Sequence, residues 1–266
     1  MDSTVVNADS VRLMTWLVAQ GGAGGMVDAI LTDPPYKLSR PDMTKPDGST
    51  LTRDYQETED PLPIHELAVA FDHLLTADGS VLVWCADHQV TTWLEALSDR
   101  MDKVMTGGWI KTNPAPNMRR RTWTSTLELW VWGARGDWTF NWPGHRAGFN
   151  TVAGPHLASG EAEYTGHPNQ KPLAIVEPHV RVMTRPGDLV LDPFAGSGSY
   201  VVAAHRMGRR AVGFELDADR AKVAQDRLRS VVPQEELFRE AEPPRRRPSK
   251  RDQADLFQDM TEGGRG

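Results

Sequence analysis

The sequence predicts an α/β fold with a mostly parallel sheet, and three observations carry that expectation. Apolar runs such as VDAILTD (27–33), VLVWCA (81–86) and LVLDPFAG (189–196) lack polar alternation, as strands covered on both faces do. Segments with helical spacing of apolar residues separate these runs. One run ends in a Gly-x-Gly turn that opens a further helix, the arrangement in which a ligand meets a strand's carboxyl end.

Taken in order, STVVN (3–7) reads as a short strand, followed by an N-cap at Asp9 or Ser10. The helix after it carries Val11, Met14, Leu17 and Val18 on one face, and Gly21 and Gly22 stop it. VDAILTD is the next strand. Residues 37–60 are polar and turn-rich, the composition of a mobile loop covering a site. From Pro63, Leu67, Phe71, Leu74 and Leu75 mark a helix face, and ADGSVLVWCA (77–86) gives a turn and a buried strand. VMTGGWIKTN (104–113) and STLELWVWGA (125–134) read as an antiparallel pair at the sheet's edge. Residues 137–166 are rich in Gly, His, Trp and Asn without a period, a place for an inserted recognition segment. A helix over 173–184, the turn RPGD, the strand LVLDPFAG, a helix from about 198, the strand AVGFELD and a last helix follow. In that last helix Ala221, Ala224, Leu228 and Val231 share a face; beyond Val232 the apolar pattern gives way to a Pro/Arg/Glu tail, expected to be disordered.

The 266 residues are enough for one α/β domain and an appendage. No apolar run approaches the roughly 18 residues of a membrane span. The start, MDSTVVNADS, has neither the basic nor the apolar region of a signal peptide. A single cysteine, Cys85, excludes an intramolecular disulfide, argues against a thiolate zinc site and fits a reducing cytoplasm. No metal is expected. A formal charge of −6 argues against a protein that coats nucleic acid by charge alone. Local basic clusters at Arg119, Arg120 and Arg121 and at 245–251 carry more information. Six of the nine tryptophans lie between 109 and 142.

Around DPFAGSGS (192–199), Gly196 and Gly198 let a ligand approach the backbone, and the helix N-terminus behind them favours a carboxylate or phosphate. Nineteen residues after Gly196, Glu215 ends the next strand, where an acid accepts hydrogen bonds from ribose hydroxyls. Val201 stands where a dinucleotide site wants a third glycine, and Asp192 repels a pyrophosphate but suits a cationic amino group. A nucleoside bearing an amino acid, S-adenosylmethionine, meets these demands.

Asp33-Pro34-Pro35-Tyr36 has two readings: a strand-terminating turn, or prolines holding Asp33 and Tyr36 at the ligand end of a strand. DPPY (33–36), NPAPNMRRRTWTSTLELWVWG (113–133), HPNQKP (167–172) and DPFAGSGS (192–199), in that order, resemble the amino-group DNA methyltransferases of the permuted β class. The resemblance spans roughly residues 5–232 and implies a Rossmann-like S-adenosylmethionine-dependent methyltransferase domain over 1–232. Its sheet would have seven strands in circularly permuted order, with 233–266 as a tail. It implies that Asp192, Phe194, Gly196, Ser197 and Gly198 carry the methionine end of the cofactor and Glu215 the ribose. Lys171 would lie near the methionine carboxylate. Asp9 matches the acid near the adenine, or is only a helix cap.

The implied reaction is direct transfer to an exocyclic amine of a flipped base in double-stranded DNA. A conjugated amine is a poor nucleophile, and the Asp33 carboxylate and Pro34 carbonyl are suited to accept its N–H bonds. The fixed φ of the prolines, Pro35 included, aims that carbonyl, and Tyr36 offers a face for the extruded base. Cys85, inside an apolar run, reads as a packing residue. Asp at the head of the tetrapeptide is more typical of adenine N6 enzymes in this family, where Ser is common for cytosine N4. Lys111 and Arg119–Arg121 are candidate DNA contacts, with 137–166 the candidate target-recognition segment. In the tail, Gln253, Leu256 and Phe257 of QADLF resemble the peptide by which replication proteins dock on the bacterial sliding clamp. The oligomeric state, a homodimer included, and a companion restriction enzyme stay open. A catalytically idle DNA-binding relative, a nicotinamide oxidoreductase and a protein-glutamine methyltransferase are the rival readings.

Overall fold

The computed structural model describes residues 3–19, 24–35, 62–115, 122–143, 150–157, 161, 163–167 and 169–231. Residues Met1–Pro233 make one compact unit; Gln234–Gly266 are a second and, with the tail motif, lie outside the described residues. Arg119–Arg121, Tyr36 and the loop 37–60 lie outside them too.

In chain order the elements are β1 (Thr4–Asn7), α1 (Ser10–Ala19), β2 (Val27–Thr32), α2 (Ile64–Leu74), β3 (Leu75–Cys85), α3 (Val90–Ser98), β4 (Lys103–Lys111) and β5 (Leu127–Ala134). Then come β6 (Thr151–Gly154), α4 (Leu173–Met183), β7 (Leu189–Asp192), α5 (Ser199–Arg206), β8 (Arg210–Glu215) and α6 (Ala218–Arg229). The strands form one sheet in the order β1-β8-β7-β2-β3-β5-β4-β6. Among the described strands only β5 runs against the rest, since it pairs antiparallel with both β3 and β4 while the other pairings are parallel.

Both faces are covered, which is why β2 and β3 read as continuous apolar runs. On one face Met14 of α1, Phe71 of α2 and Trp93 of α3 pack with Ile30, Val81 and Val83. On the other, Ile175 and Val180 of α4, Val201 of α5 and Ala224 and Leu228 of α6 pack with Leu31, Leu82 and Trp84. Neighbouring strand residues thus feed opposite cores, as the two-residue strand period requires. The Phe71 and Trp93 rings stack with centroids 6.1 Å apart, and truncating Phe71 to Ala costs about 3–5 kcal/mol.

Three expectations need correction. The sheet has eight strands among the described residues, one more than expected, because Gly108–Lys111 of β4 also pair in parallel with Thr151–Gly154. The edge is therefore β6, and the β4–β5 pair lies one strand inside it. Leu75 opens β3 rather than closing a helix: Val27 pairs with Leu75 and Ala29 with Ser80, so the expected turn at 77–79 is a bulge within a strand.

The segment 137–166 is also less separate than its composition implied. Trp138 and Phe140 pack edge-on against Trp132, and the Asn141 side chain donates to the carbonyls of Arg181 and Thr184 at 2.8 Å. Trp109 donates to Gly154 O at 2.9 Å and stacks on His156. Of the crowded tryptophans, Trp109, Trp130 and Trp132 are core; Trp123 is 96% exposed.

Candidate active site

From the centre of the sheet, β7 leads through α5 to β8 on one side, while β2 leads through α2 to β3 on the other. The strand order therefore switches direction between β7 and β2, the point in an open α/β sheet where a crevice forms at the carboxyl ends. Asp192 ends β7 and Asp33 follows β2. Asp9 after β1 and Glu215 at the end of β8 continue the row. Four acids thus line one edge of four adjacent parallel strands.

The glycine turn is built by its backbone. Gly196 and Gly198 adopt φ of 52° and 79°, the left-handed region that a side chain disfavours, and Gly198 forms the N-cap of α5. Gly196 N donates to Glu215 Oε2 at 2.9 Å, and Asp217 N to its Oε1 at 2.9 Å, fixing that carboxylate at the mouth of the turn. Asp33, His167, Lys171, Asp192, Phe194 and the 195–200 turn line one common cavity. Asp9 accepts from Arg12 N at 3.1 Å and so caps α1.

Asp192 is 3% exposed and accepts from Thr32 Oγ1 at 2.7 Å and from Phe194 N at 3.2 Å. Burial pushes its carboxyl up to about 7 against these two donors, and the charges of Asp33 and Glu215 push the same way. A buried acid in that condition is suited to an ammonium partner.

Asp33 is held differently. Its Oδ2 accepts from Lys171 Nζ at 2.5 Å, while Oδ1 is buried with no hydrogen-bond partner among the described residues. Burial raises the carboxyl; the ammonium of Lys171 pulls it down, and Glu128 raises it again. Pro34 is buried beside it and Pro35 exposed. Lys171 Nζ also lies 3.2 Å from Glu128 Oε2 and 4.8 Å from the centre of the Trp84 ring. On the far side Lys111 Nζ meets Glu128 Oε1 at 2.5 Å. Burial pushes Glu128 up, but Lys171 and Lys111 outweigh it and hold the group at about 2.

These contacts bear on two expectations. The ammonium of Lys171 is engaged by Asp33 and Glu128, while the residue also lines the cavity with the glycine turn. Lys111, expected on DNA, has its charge neutralised by Glu128, with a side chain only 16% exposed. Cys85 is buried, its thiol driven up to about 12 by burial and then by Asp33 and Asp87, so it stays protonated as a packing residue does.

Several residues at the site were not anticipated. Glu128 is the one with a legible signal, an acid inside the apolar run LELWVWGA. Because β5 is antiparallel, its first residues come back to the carboxyl edge. Trp84 donates to Tyr200 Oη at 2.8 Å, and Tyr200 Oη lies 3.0 Å from His179 Nδ1, a buried string behind the cavity. His167, held neutral with a value of about 4 by burial and then by Arg220 and Lys171, packs on the glycine turn: a Cβ on Gly196 would stand 3.4 Å from its ring. Thr32, between the strands, carried no sequence signal at all.

A crevice at the switch point, with a glycine turn and helix N-terminus on one side and an acid with an unpartnered oxygen on the other, defines an enzyme that binds a nucleoside cofactor. The profile of the N6/N4 DNA methylase family matches residues 27–226, and the chain belongs to that family. It is 29% identical over 247 residues to the type II methyltransferase M2.LlaDCHI of Lactococcus lactis subsp. cremoris, covering 85% of this chain and 89% of that one. Identity is also 29% to the type II methyltransferase M2.DpnII of Streptococcus pneumoniae, covering 84% of this chain and 88% of the relative. Among solved structures, M1.HpyAVI in complex with S-adenosylmethionine superposes with a TM-score of 0.66 at 25% identity, covering 85% of this chain and 98% of that chain. The protein is an S-adenosylmethionine-dependent DNA methyltransferase that acts on an exocyclic amine. No group of three or more His, Cys, Asp or Glu suited to a metal occurs among the described residues, and no helix there is long and apolar enough to cross a membrane.

Proposed function

We propose that the enzyme methylates N6 of adenine in double-stranded DNA, acting on a base turned out of the helix. The observation that carries the transfer to an exocyclic amine is the buried Oδ1 of Asp33, unpartnered among the described residues and close to the cofactor-side acid Asp192, the two strands being joined by Thr32. An acceptor without a partner in a buried place is what an incoming N–H donor requires.

S-adenosylmethionine, when bound, supplies a methyl group activated by a sulfonium. The residues present fit it. Asp192 would offer its carboxylate to the amino group, and Gly196, Ser197 and Gly198, whose turn has Gly196 N on Glu215 Oε2 and Gly198 N on Ala195 O, would let the carboxylate approach the first turn of α5. Glu215 accepts from the ribose, Phe194 packs on the cofactor, and Asp9 lies toward the adenine end. Asp33 Oδ1 and the Pro34 carbonyl accept the two N–H bonds of the target amine, turning its lone pair toward the methyl. As the nitrogen bonds the methyl carbon, the carbon–sulfur bond would break with its electron pair left on the departing thioether, and the proton the nitrogen sheds would pass to Asp33. Pro35 and Tyr36 complete the motif, with the Tyr36 ring as the stacking face for the base. Lys171 acts on Asp33 and lines the cavity in which the methionine carboxylate would lie.

Arg119–Arg121 remain the candidate phosphate contacts. Adenine is favoured over cytosine because Asp heads the tetrapeptide. QADLF is read as a clamp-docking peptide; deleting residues 250–266 should abolish clamp capture, and unchanged capture would end that idea. The test of the main reading is methyl transfer from tritiated cofactor to unmethylated plasmid DNA by wild type and Asp33→Ala. The variant should lose roughly a thousandfold or more of the rate, far more than any change in cofactor affinity. A variant of undiminished rate would refute the role of Asp33.

A further inference from the structure

Resting on the reading of Asp33 as acceptor of the amine's protons, we propose that Glu128 is a positioning residue for methyl transfer. It shares the ammonium of Lys171 with Asp33 and so keeps Asp33 Oδ1 open as a strong acceptor.

The geometry is an alternating row. Lys111 Nζ stands 2.5 Å from Glu128 Oε1, Glu128 Oε2 stands 3.2 Å from Lys171 Nζ, and Lys171 Nζ stands 2.5 Å from Asp33 Oδ2. Two acids and two cations leave the row neutral, so the buried cluster carries no uncompensated charge. Lys171 is the shared member. Its side chain is 5% exposed, and the Trp84 ring lies beneath it at 4.8 Å.

A carboxylate paired to one lysine alone is a weak proton acceptor, because the cation stabilises its charge and lowers its basicity. A second carboxylate on the same ammonium divides that stabilisation. Its own charge, across the row, also makes protonation of Asp33 easier. Glu128 Oε2 faces the Lys171 ammonium at 3.2 Å, a longer approach than the 2.5 Å between that ammonium and Asp33 Oδ2, so Glu128 draws on the shared charge without displacing Asp33.

Lys111 limits the effect, since it draws Glu128 away from Lys171. The row therefore has a sign that can be read from either end. Asp33 is also faced by Asp192 from β7, Cys85 from β3 and Tyr200 from α5, and none of these is altered by a change at Glu128 or Lys111.

The experiment follows single-turnover methyl transfer from tritiated S-adenosylmethionine to unmethylated plasmid DNA across pH 5–9. It compares wild type, Glu128→Gln, Lys111→Gln and Asp33→Ala. Glu128→Gln should move the acid limb of the rate profile to lower pH and reduce the rate at pH 8 roughly threefold to tenfold. Lys111→Gln should move the limb to higher pH. Cofactor affinity should stay within about twofold of wild type in both, as neither residue lies in the cofactor cavity. Glu128→Asp, which keeps the charge, should restore the wild-type limb. A limb unmoved in both variants, or moved the same way in both, overturns the proposal. If Glu128→Gln does not fold, Lys111→Gln decides alone: an upward shift supports the proposal, and none or a downward one overturns it. Asp33→Ala separates the two layers. An active Asp33→Ala refutes the reading of Asp33 itself, whereas an inactive one with immobile limbs refutes only the role of Glu128.

Discussion

The hydroxyl of Thr32 donates a 2.7 Å hydrogen bond to Asp192, joining the ends of β2 and β7 across 160 residues of sequence. Asp33 is the next residue after Thr32, so one buried contact ties the acid read as catalytic to the acid read as cofactor-binding. Thr32 is fully buried, and both partners lie where strand order reverses.

Thr32→Val keeps the shape and removes the donor. Asp192 then loses its side-chain donor and moves above its value of about 7. Leaving a buried acceptor short of a donor costs about 1–3 kcal/mol, to be read by urea unfolding. Cofactor affinity, measured calorimetrically, should weaken severalfold; unchanged stability and affinity would show that the contact does not couple the strands.

The acid Asp192 makes stability depend on pH with a definite sign. Its carboxyl titrates near 3.8 when unfolded and at about 7 when folded, chiefly through burial. Between these values the folded form holds a proton that the unfolded form lacks. The group's contribution to stability therefore falls as pH rises through this window and is level above it. Asp192→Asn should flatten that slope in ligand-free protein. Binding the ammonium of the cofactor should release a proton below pH 7, seen by calorimetry in two buffers of different ionisation enthalpy; no release would contradict the pairing.

At Gly198 backbone and packing act together. The φ of 79° disfavours any side chain, and a Cβ there would stand 3.1 Å from Ala224 Cβ. Gly198→Ala should lower unfolding free energy by about 1–2 kcal/mol and weaken cofactor binding. Gly187, at φ 88° with nothing within 4 Å of a Cβ, is the control. Its Ala variant should share the backbone cost and leave binding intact.

Tyr200→Phe removes the hydroxyl that accepts from Trp84 Nε1 and meets His179 Nδ1. An indole N–H is then buried without a partner, and thermal or urea unfolding should reveal a loss of about 1–3 kcal/mol. An unaltered transition would mean that Trp84 finds another acceptor.

The strands and helices were legible because burial on both faces writes itself as continuous apolar runs and helix faces as spaced ones. The last helix, with Ala221, Ala224 and Leu228 buried, follows its pattern closely. β6 was not legible, since TVAG presents no apolar run and buries only Gly154. Nor was the bulge of β3, where an Asp-Gly pair signals a turn but the partner strand continues past it. At the site, glycines and acids at strand ends could be read because the backbone demands them locally. Partners could not: that Lys171 meets Asp33 and Glu128, and that Lys111 is neutralised, depends on the order in which strands assemble.

The central claim is that this site transfers a methyl group to N6 of adenine through Asp33. Its most direct test is mass spectrometry of nucleosides from unmethylated DNA incubated with the enzyme and cofactor carrying a 13C methyl group. The account predicts labelled N6-methyldeoxyadenosine with wild type and none with Asp33→Ala. Label confined to N4-methyldeoxycytidine, or equal labelling by the variant, would contradict it.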